Sequence, residues 1–182
     1  MSDLFDISGR SALVTGGSRG VGAMIARGLV EAGANVFISS RKEAELLSTA
    51  EQLRALGSCE AIPADLSSPE GARTLAEQMG QRVETLSILV NNAGATWGAP
   101  LDEFPESGWD RVIHTNVEGI FHLTTALLPS LRAAATDTNP ARIINIGSVD
   151  GLRPPAMESY SYSASKDAVH MLTRHLAKRL AS

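Results

Sequence analysis

An apolar run, Ser11-Ala-Leu-Val-Thr15, passes directly into Gly16-Gly17-Ser18-Arg19-Gly20-Val21-Gly22. An amphipathic helix follows at once, with Ala23, Ile25, Ala26, Leu29 and Val30 apolar and Gly33 as its stop. Strand, glycine-rich turn and helix in immediate succession present backbone N–H groups and a helix N-terminus to a pyrophosphate. Glycine suits such a turn because any side chain would hold phosphates away from the backbone. The spacing is T-G-x-x-x-G-x-G rather than G-x-G-x-x-G. Turns use glycine in any case. The place of this cluster, after the first strand and before a helix, favours nucleotide binding over a plain turn.

The same alternation continues to the end of the chain. The patterning predicts strands at 11–15, 35–40, 60–64, 86–91 and 142–147, and helices at 20–32, 42–56, 69–82, 108–134 and 160–180. Ser68-Pro69-Glu70 reads as a helix start, with Ser as N-cap and Pro at the first helical position. Leu86–Val90 and Ile143–Ile146 are almost continuously apolar, as strands covered by helices on both faces require. Alternating strands and helices imply an α/β fold, a doubly wound parallel sheet with right-handed crossovers. Residues 1–182 read as one domain, and 43% hydrophobic content is enough for a real core. In such a sheet ligands bind at the carboxyl ends of the strands, where Gly16, Asn92 and Ser148 fall.

Several function classes drop out on composition. A net charge of −4 with no basic block gives no footprint for nucleic acid. The opening M-S-D-L-F-D lacks the regions of a secretory leader, and no apolar run approaches membrane-spanning length. The single Cys59 cannot form an internal disulfide, which makes a reducing cytoplasm the natural setting. His114, His122, His170 and His175 form no metal-ligand pattern with Cys or acidic residues, so no metal is expected.

Chemistry enters at Tyr162-Ser-Ala-Ser-Lys166. Tyr and Lys at i and i+4 of a helix share a face, so phenol and ammonium can converge. A phenol titrating near pH 10 is too weak an acid for work near neutrality, and a neighbouring ammonium favours the phenolate and tunes it. The chain has two Tyr and three Lys, so such a pair has a chance frequency of about 3 per cent. Tyr160 is a competing phenol, but Ala164 stands where its ammonium would be. Two ordinary helix-surface residues are the alternative for the pair taken alone.

Thr15-Gly-Gly-Ser-Arg-Gly-Val-Gly22, Asn91-Asn-Ala-Gly94, Asn116, Ser148 and Tyr162-Ser-Ala-Ser-Lys166 occur in the order and spacing of the short-chain dehydrogenase/reductase family. The resemblance runs from about Phe5 to the last residue. Within the family, the stretch from Asn91 to Lys178 is most similar to the rhamnolipid-biosynthesis type of 3-oxoacyl-acyl-carrier-protein reductase. The resemblance implies a Rossmann fold that lacks the family's final strands and substrate flap, because a typical member continues well past the Lys166 helix. It also implies NADPH-dependent reduction of a ketone to a secondary alcohol, with a 3-oxoacyl thioester as the first choice of substrate. Sugar, polyol or steroid-like ketones are the other substrate classes. A non-catalytic NADP(H)-binding protein, or an inactive fragment, is the alternative from another class.

The family also assigns roles residue by residue. By resemblance Ser148 polarises the substrate carbonyl, Tyr162 protonates its oxygen, and Lys166 holds the nicotinamide ribose while lowering the Tyr pKa. Asn116 resembles the helix residue that holds a water linking Lys to solvent; a cap or exposed amide is its ordinary alternative. Gly16, Ser18, Arg19, Gly20, Val21 and Gly22 belong to the phosphate loop. Asp65 resembles the residue that meets the adenine amino group, with Leu66 backing the ring; an Asx turn is the alternative, and one residue can do both. Asn92, Ala93 and Gly94 line the cofactor. Ser40 stands where NAD-preferring members carry an acid, and Arg41 follows; with Arg19 they welcome a 2′-phosphate and favour NADP(H). Helices 108–134 and 160–180 carry apolar residues that one sheet face cannot cover, among them Val112, Ile120, Leu127, Leu131 and Met171. Family members pair these helices, which predicts a homodimer, and a homotetramer for a longer chain.

Overall fold

A computed structural model describes residues 5–181; residues 1–4, on which the leader reading partly rests, and Ser182 lie outside the described residues. Five strands form one parallel sheet: β1 (Ser11–Thr15), β2 (Asn35–Ser40), β3 (Cys59–Pro63), β4 (Ile88–Asn91) and β5 (Arg142–Asn145). Their order across the sheet is β3-β2-β1-β4-β5. The chain therefore winds outward from β1 through β2 to β3, then crosses to the other side for β4 and β5. The switch point lies between β1 and β4, where doubly wound sheets open their ligand crevice. The α-helices are α1 (Gly20–Glu31), α2 (Glu43–Arg54), α3 (Pro69–Gly80), α4 (Glu106–Ile113), α5 (Gly119–Ala134) and α6 (Tyr160–Leu180).

Strand alternation splits the core into two layers. Ala12, Val14, Val36, Ile38 and Val90 face Ala26, Val30, Leu46 and Ala50 of α1 and α2. Leu13, Phe37 and Leu89 face the other way, onto Leu75 and Met79 of α3 and Leu123 and Leu127 of α5. Each fully buried Leu or Ile contributes about 1.5–3 kcal/mol, so these two layers carry the fold's stability. Ser68 caps α3 as its sequence suggests, its side chain accepting from the Gly71 N–H. Cys59 is a free, buried thiol whose pKa burial pushes up to about 11, which keeps it protonated and inert near neutrality.

Three expectations change. The predicted helix 108–134 starts earlier, at Glu106, and is broken by a π-helical turn at His114–Glu118. At Gly108, inside this helix, the Trp97 ring occupies the space a side chain would need. Strand β4 starts at Ile88 rather than at 86, because the Leu86 N–H turns to the Ser130 carbonyl, 3.2 Å away in α5. The apolar run Ile143–Ile146 is not covered on both faces: β5 is an edge strand and Ile144 is 46% exposed. Val90 pairs with Ile144, so the open face is the one that α1 and α2 cover further along the sheet. Among the described residues no helix is long and apolar enough to cross a membrane.

Candidate active site

The carboxyl ends of β1 and β4 are tied together before any ligand need be considered. Thr15 Oγ1 donates to the Val90 carbonyl at 3.3 Å and accepts from the Asn92 and Ala93 N–H groups at 3.0 Å each. Asn92 Nδ2 returns to the Thr15 and Gly16 carbonyls at 2.9 and 3.3 Å. Gly16 has φ +66°, a conformation other residues adopt at a cost. Gly22 is glycine for a different reason than phosphate approach: a Cβ there would lie 2.2 Å from the Gly16 carbonyl oxygen and 2.4 Å from Asn92 Nδ2. Helix α1 is thus seated directly on the turn that aims its N-terminus into the crevice.

That crevice holds a cavity of about 300 Å³. Of the sequence candidates, Gly16, Ser18, Arg19, Gly20, Ser40, Arg41, Asp65, Leu66, Asn92, Ala93 and Gly94 line it. Val21 and Gly22 do not; Val21 is 52% exposed and Gly22 is buried under the turn. Ser39, Lys42, Glu45, Ala64 and Thr115 also line it and were not legible as site residues. Lys42 and Glu45 sit in R-K-E-A-E, which reads as an ordinary polar helix start, and no local pattern marks Ser39 or Thr115. Asp65 makes the Asx turn, its Oδ1 accepting from the Ser67 N–H at 3.0 Å, while still facing the cavity. The hydroxyls of Ser39, Ser40 and Thr115 are buried with no protein partner. A nucleotide fits this donor set, since cations, unpaired hydroxyls and a glycine turn converge on one cavity.

The catalytic candidates lie at the start of α6 and the end of β5. Lys166 is 5% exposed, and its Nζ donates to the Ile146 carbonyl at 2.7 Å while standing 5.6 Å from the Tyr162 ring centroid. Burial lowers the Lys166 pKa. Ser148 lies three residues beyond β5, its Oγ accepting from the Asp150 N–H at 3.2 Å. The turn Val149–Gly151 that follows rests on α6: a Cβ on Gly151 would be 2.6 Å from the Lys166 carbonyl carbon and the Asp167 nitrogen. Glycine at 151 therefore brings the Ser148 loop onto the Tyr162–Lys166 helix, a role its sequence neighbours do not signal.

Asn116 is fully buried inside the π-helical turn. Its Oδ1 accepts from the Ala95 N–H at 2.7 Å, and its Nδ2 donates to the Ala95 carbonyl and to Ser165 Oγ, both at 2.9 Å. Ser165 in turn donates to the Tyr162 carbonyl at 2.7 Å. The amide, whose donors are both used, links the loop after β4 to the Tyr162 turn and keeps one Oδ1 lone pair free. Tyr160 points elsewhere. Its hydroxyl donates to Glu158 Oε1 at 3.0 Å and its ring meets Phe104 edge-on, and partial burial with that carboxylate raises its pKa.

Residues 10–182 match the short-chain dehydrogenase family, and the chain belongs to it. A rhamnolipids biosynthesis 3-oxoacyl-acyl-carrier-protein reductase of Pseudomonas aeruginosa is 53% identical over 180 residues, 99% of this chain and 70% of that relative. A solved structure of a Pseudomonas aeruginosa RhlG/NADP active-site complex superposes with a TM-score of 0.96 at 53% identity, covering 100% of this chain and 71% of that one. A metagenomic short-chain oxidoreductase in complex with NADP superposes with a TM-score of 0.87 at 34% identity, over 97% of this chain and 78% of that one.

Proposed function

We propose that this chain is an NADP(H)-dependent reductase that converts a ketone to a secondary alcohol, with a 3-oxoacyl thioester as its substrate class. The carrying observation is the cavity at the carboxyl ends of β1 and β4, whose β2 end bears Ser40, Arg41 and Lys42 in place of an acid, in a chain whose Ser148 turn packs at Gly151 on the helix that carries Tyr162 and Lys166. The similarity to a 3-oxoacyl-acyl-carrier-protein reductase supports the substrate class.

NADPH, when bound, supplies the hydride that reaches the carbonyl carbon. The chain does the rest. Ser148 Oγ donates to the carbonyl oxygen and holds the ketone in place. Tyr162 gives its phenolic proton to that oxygen as negative charge develops there. Lys166, a buried cation on the same helix face, stabilises the phenolate left behind and holds ribose hydroxyls. Gly16, Ser18, Gly20 and the start of α1 bind the pyrophosphate, with Val21 and Gly22 shaping the turn. Asp65, Leu66, Asn92, Ala93 and Gly94 enclose the adenosine. Asn116 positions Tyr162 through Ser165 and keeps one lone pair for a water that resupplies protons to Lys166.

Arg19 and Arg41 select the 2′-phosphate. NADPH should bind more tightly than NADH by about 1.5–3 kcal/mol, through charge-assisted contacts to that phosphate. Arg41→Asp should reverse the preference. Fluorescence titration with both cofactors checks it, and equal affinities in the parent protein would sink the NADP(H) reading.

We infer that residues 1–182 form one nucleotide-binding domain and that two copies associate through the α4–α5 and α6 helices. The apolar surplus is narrower than its sequence suggests, because Val112, Ile120, Leu127 and Leu131 are spent on the chain's own core. Phe121, 45% exposed, and Met171, 60% exposed, remain available. Light scattering should return twice the mass of one chain; a monomer well above micromolar concentration would remove this assembly. A cytoplasmic setting is supported by the lone unpaired Cys59.

A further inference from the structure

Glu45, in the first turn of α2, brings a carboxylate to the wall of the cavity that bears Arg19, Arg41 and Lys42. Its Oε1 accepts from Ser18 Oγ at 3.3 Å and lies 3.8 Å from Arg19 Nε, while its Oε2 lies 4.0 Å from Lys42 Nζ. One turn further along α2, Thr49 Oγ1 donates to the Ser18 carbonyl at 2.7 Å. The helix therefore grips the glycine loop at Ser18 from both its hydroxyl and its carbonyl. The side chains of Arg19 and Lys42 are 77% and 73% exposed, whereas Glu45 is only 33% exposed. Two solvent-facing cations share one more sheltered carboxylate.

We propose that Glu45 is a specificity-determining residue, an internal counter-ion from which a nucleotide 2′-phosphate must draw Arg19 and Lys42. The inference rests on the NADP(H) reading of the cavity. A phosphate monoester carries a charge of about −1.5 to −2 near neutrality. It meets attraction from the cations and repulsion from Glu45, and it competes with Glu45 for the same two donors. A nucleotide with a free 2′-hydroxyl leaves both ion pairs in place and feels little of this. Glu45 thus holds the 2′-phosphate preference below what Arg19, Arg41 and Lys42 would reach alone.

The test isolates the 2′-phosphate with 2′,5′-ADP and 5′-AMP, titrated calorimetrically into the parent protein and Glu45→Gln. Glutamine keeps the shape and the acceptor for Ser18 and removes only the charge. The ratio of the two affinities should rise about five-fold in favour of 2′,5′-ADP at low ionic strength. The gain should shrink toward nothing near 1 M salt, as a charge effect at a partly exposed site must. A ratio that is unchanged or falls in Glu45→Gln, while the parent prefers 2′,5′-ADP, overturns the role of Glu45 alone. A parent protein with no preference for 2′,5′-ADP overturns the NADP(H) reading, and this inference with it.

Discussion

Tyr162→Phe should lower ketone reduction by about 10²–10⁴ while leaving NADPH affinity within a few-fold. The substitution keeps the ring packed on α6 and deletes only the hydroxyl proton, and general acid assistance of this kind is worth that much in rate. Lys166→Ala should lose rate and affinity together, because the buried Nζ serves both the phenolate and the ribose. Tyr160→Phe is the control. Its hydroxyl is engaged with Glu158 rather than with the site, so the variant should reduce ketones at nearly the parental rate. Steady-state reduction of a 3-oxoacyl thioester, with NADPH binding measured in parallel, separates these outcomes. Parental activity in Tyr162→Phe would overturn the assignment of Tyr162 as the proton donor, whereas a parent protein that binds NADPH and reduces no ketone would favour a non-catalytic NADP(H)-binding protein.

The second large effect is structural. Gly22→Ala places a methyl 2.2 Å from the Gly16 carbonyl oxygen, and that neighbour is backbone that cannot swing aside. Helix α1 must lift from the turn or the turn must open, and either route disturbs the bonds from Asn92 to Thr15 and Gly16. Overpacking of this kind costs about 1–3 kcal/mol, which lowers Tm by roughly 2–12 °C for a chain of this size. NADPH affinity should fall at least ten-fold, since the displaced turn is the phosphate cradle. Gly28→Ala, on the same helix, meets nothing within 4 Å and is exposed. It should raise stability by about 0.5–1 kcal/mol through helix propensity. Thermal melts of the two variants give opposite signs if the close packing at Gly22 is as described.

The strands and helices were legible because each layer repeats a simple period. Leu13, Val36, Ile38, Leu89 and Val90 sit in short apolar runs that only a sheet covered on both faces can use, and Ser68-Pro69 announces a helix start. Boundaries shifted where a non-local partner outbid the local pattern, as when Leu86 bonds to Ser130 instead of joining β4. The π-helical turn at 114–118 had no local signature. It houses an amide whose partners, Ala95 and Ser165, lie 21 and 49 residues away in sequence. The same holds for the glycines. Gly22 and Gly151 are set by backbone that approaches from elsewhere, so the sequence marks them as flexible without saying what they touch. Glu45 was hidden for the opposite reason: an acid in the first turn of a helix is ordinary, and only the fold turns it toward Ser18 and Arg19.

The most direct measurement supplies the 182-residue chain with NADPH and a 3-oxoacyl thioester and follows both cofactor and product. The account predicts that NADPH is consumed and 3-hydroxyacyl thioester appears in equal amounts, with NADH supporting a slower reaction at the same concentration. NADPH that binds but is not consumed with any ketone, or a reaction that runs as well with NADH, would contradict it.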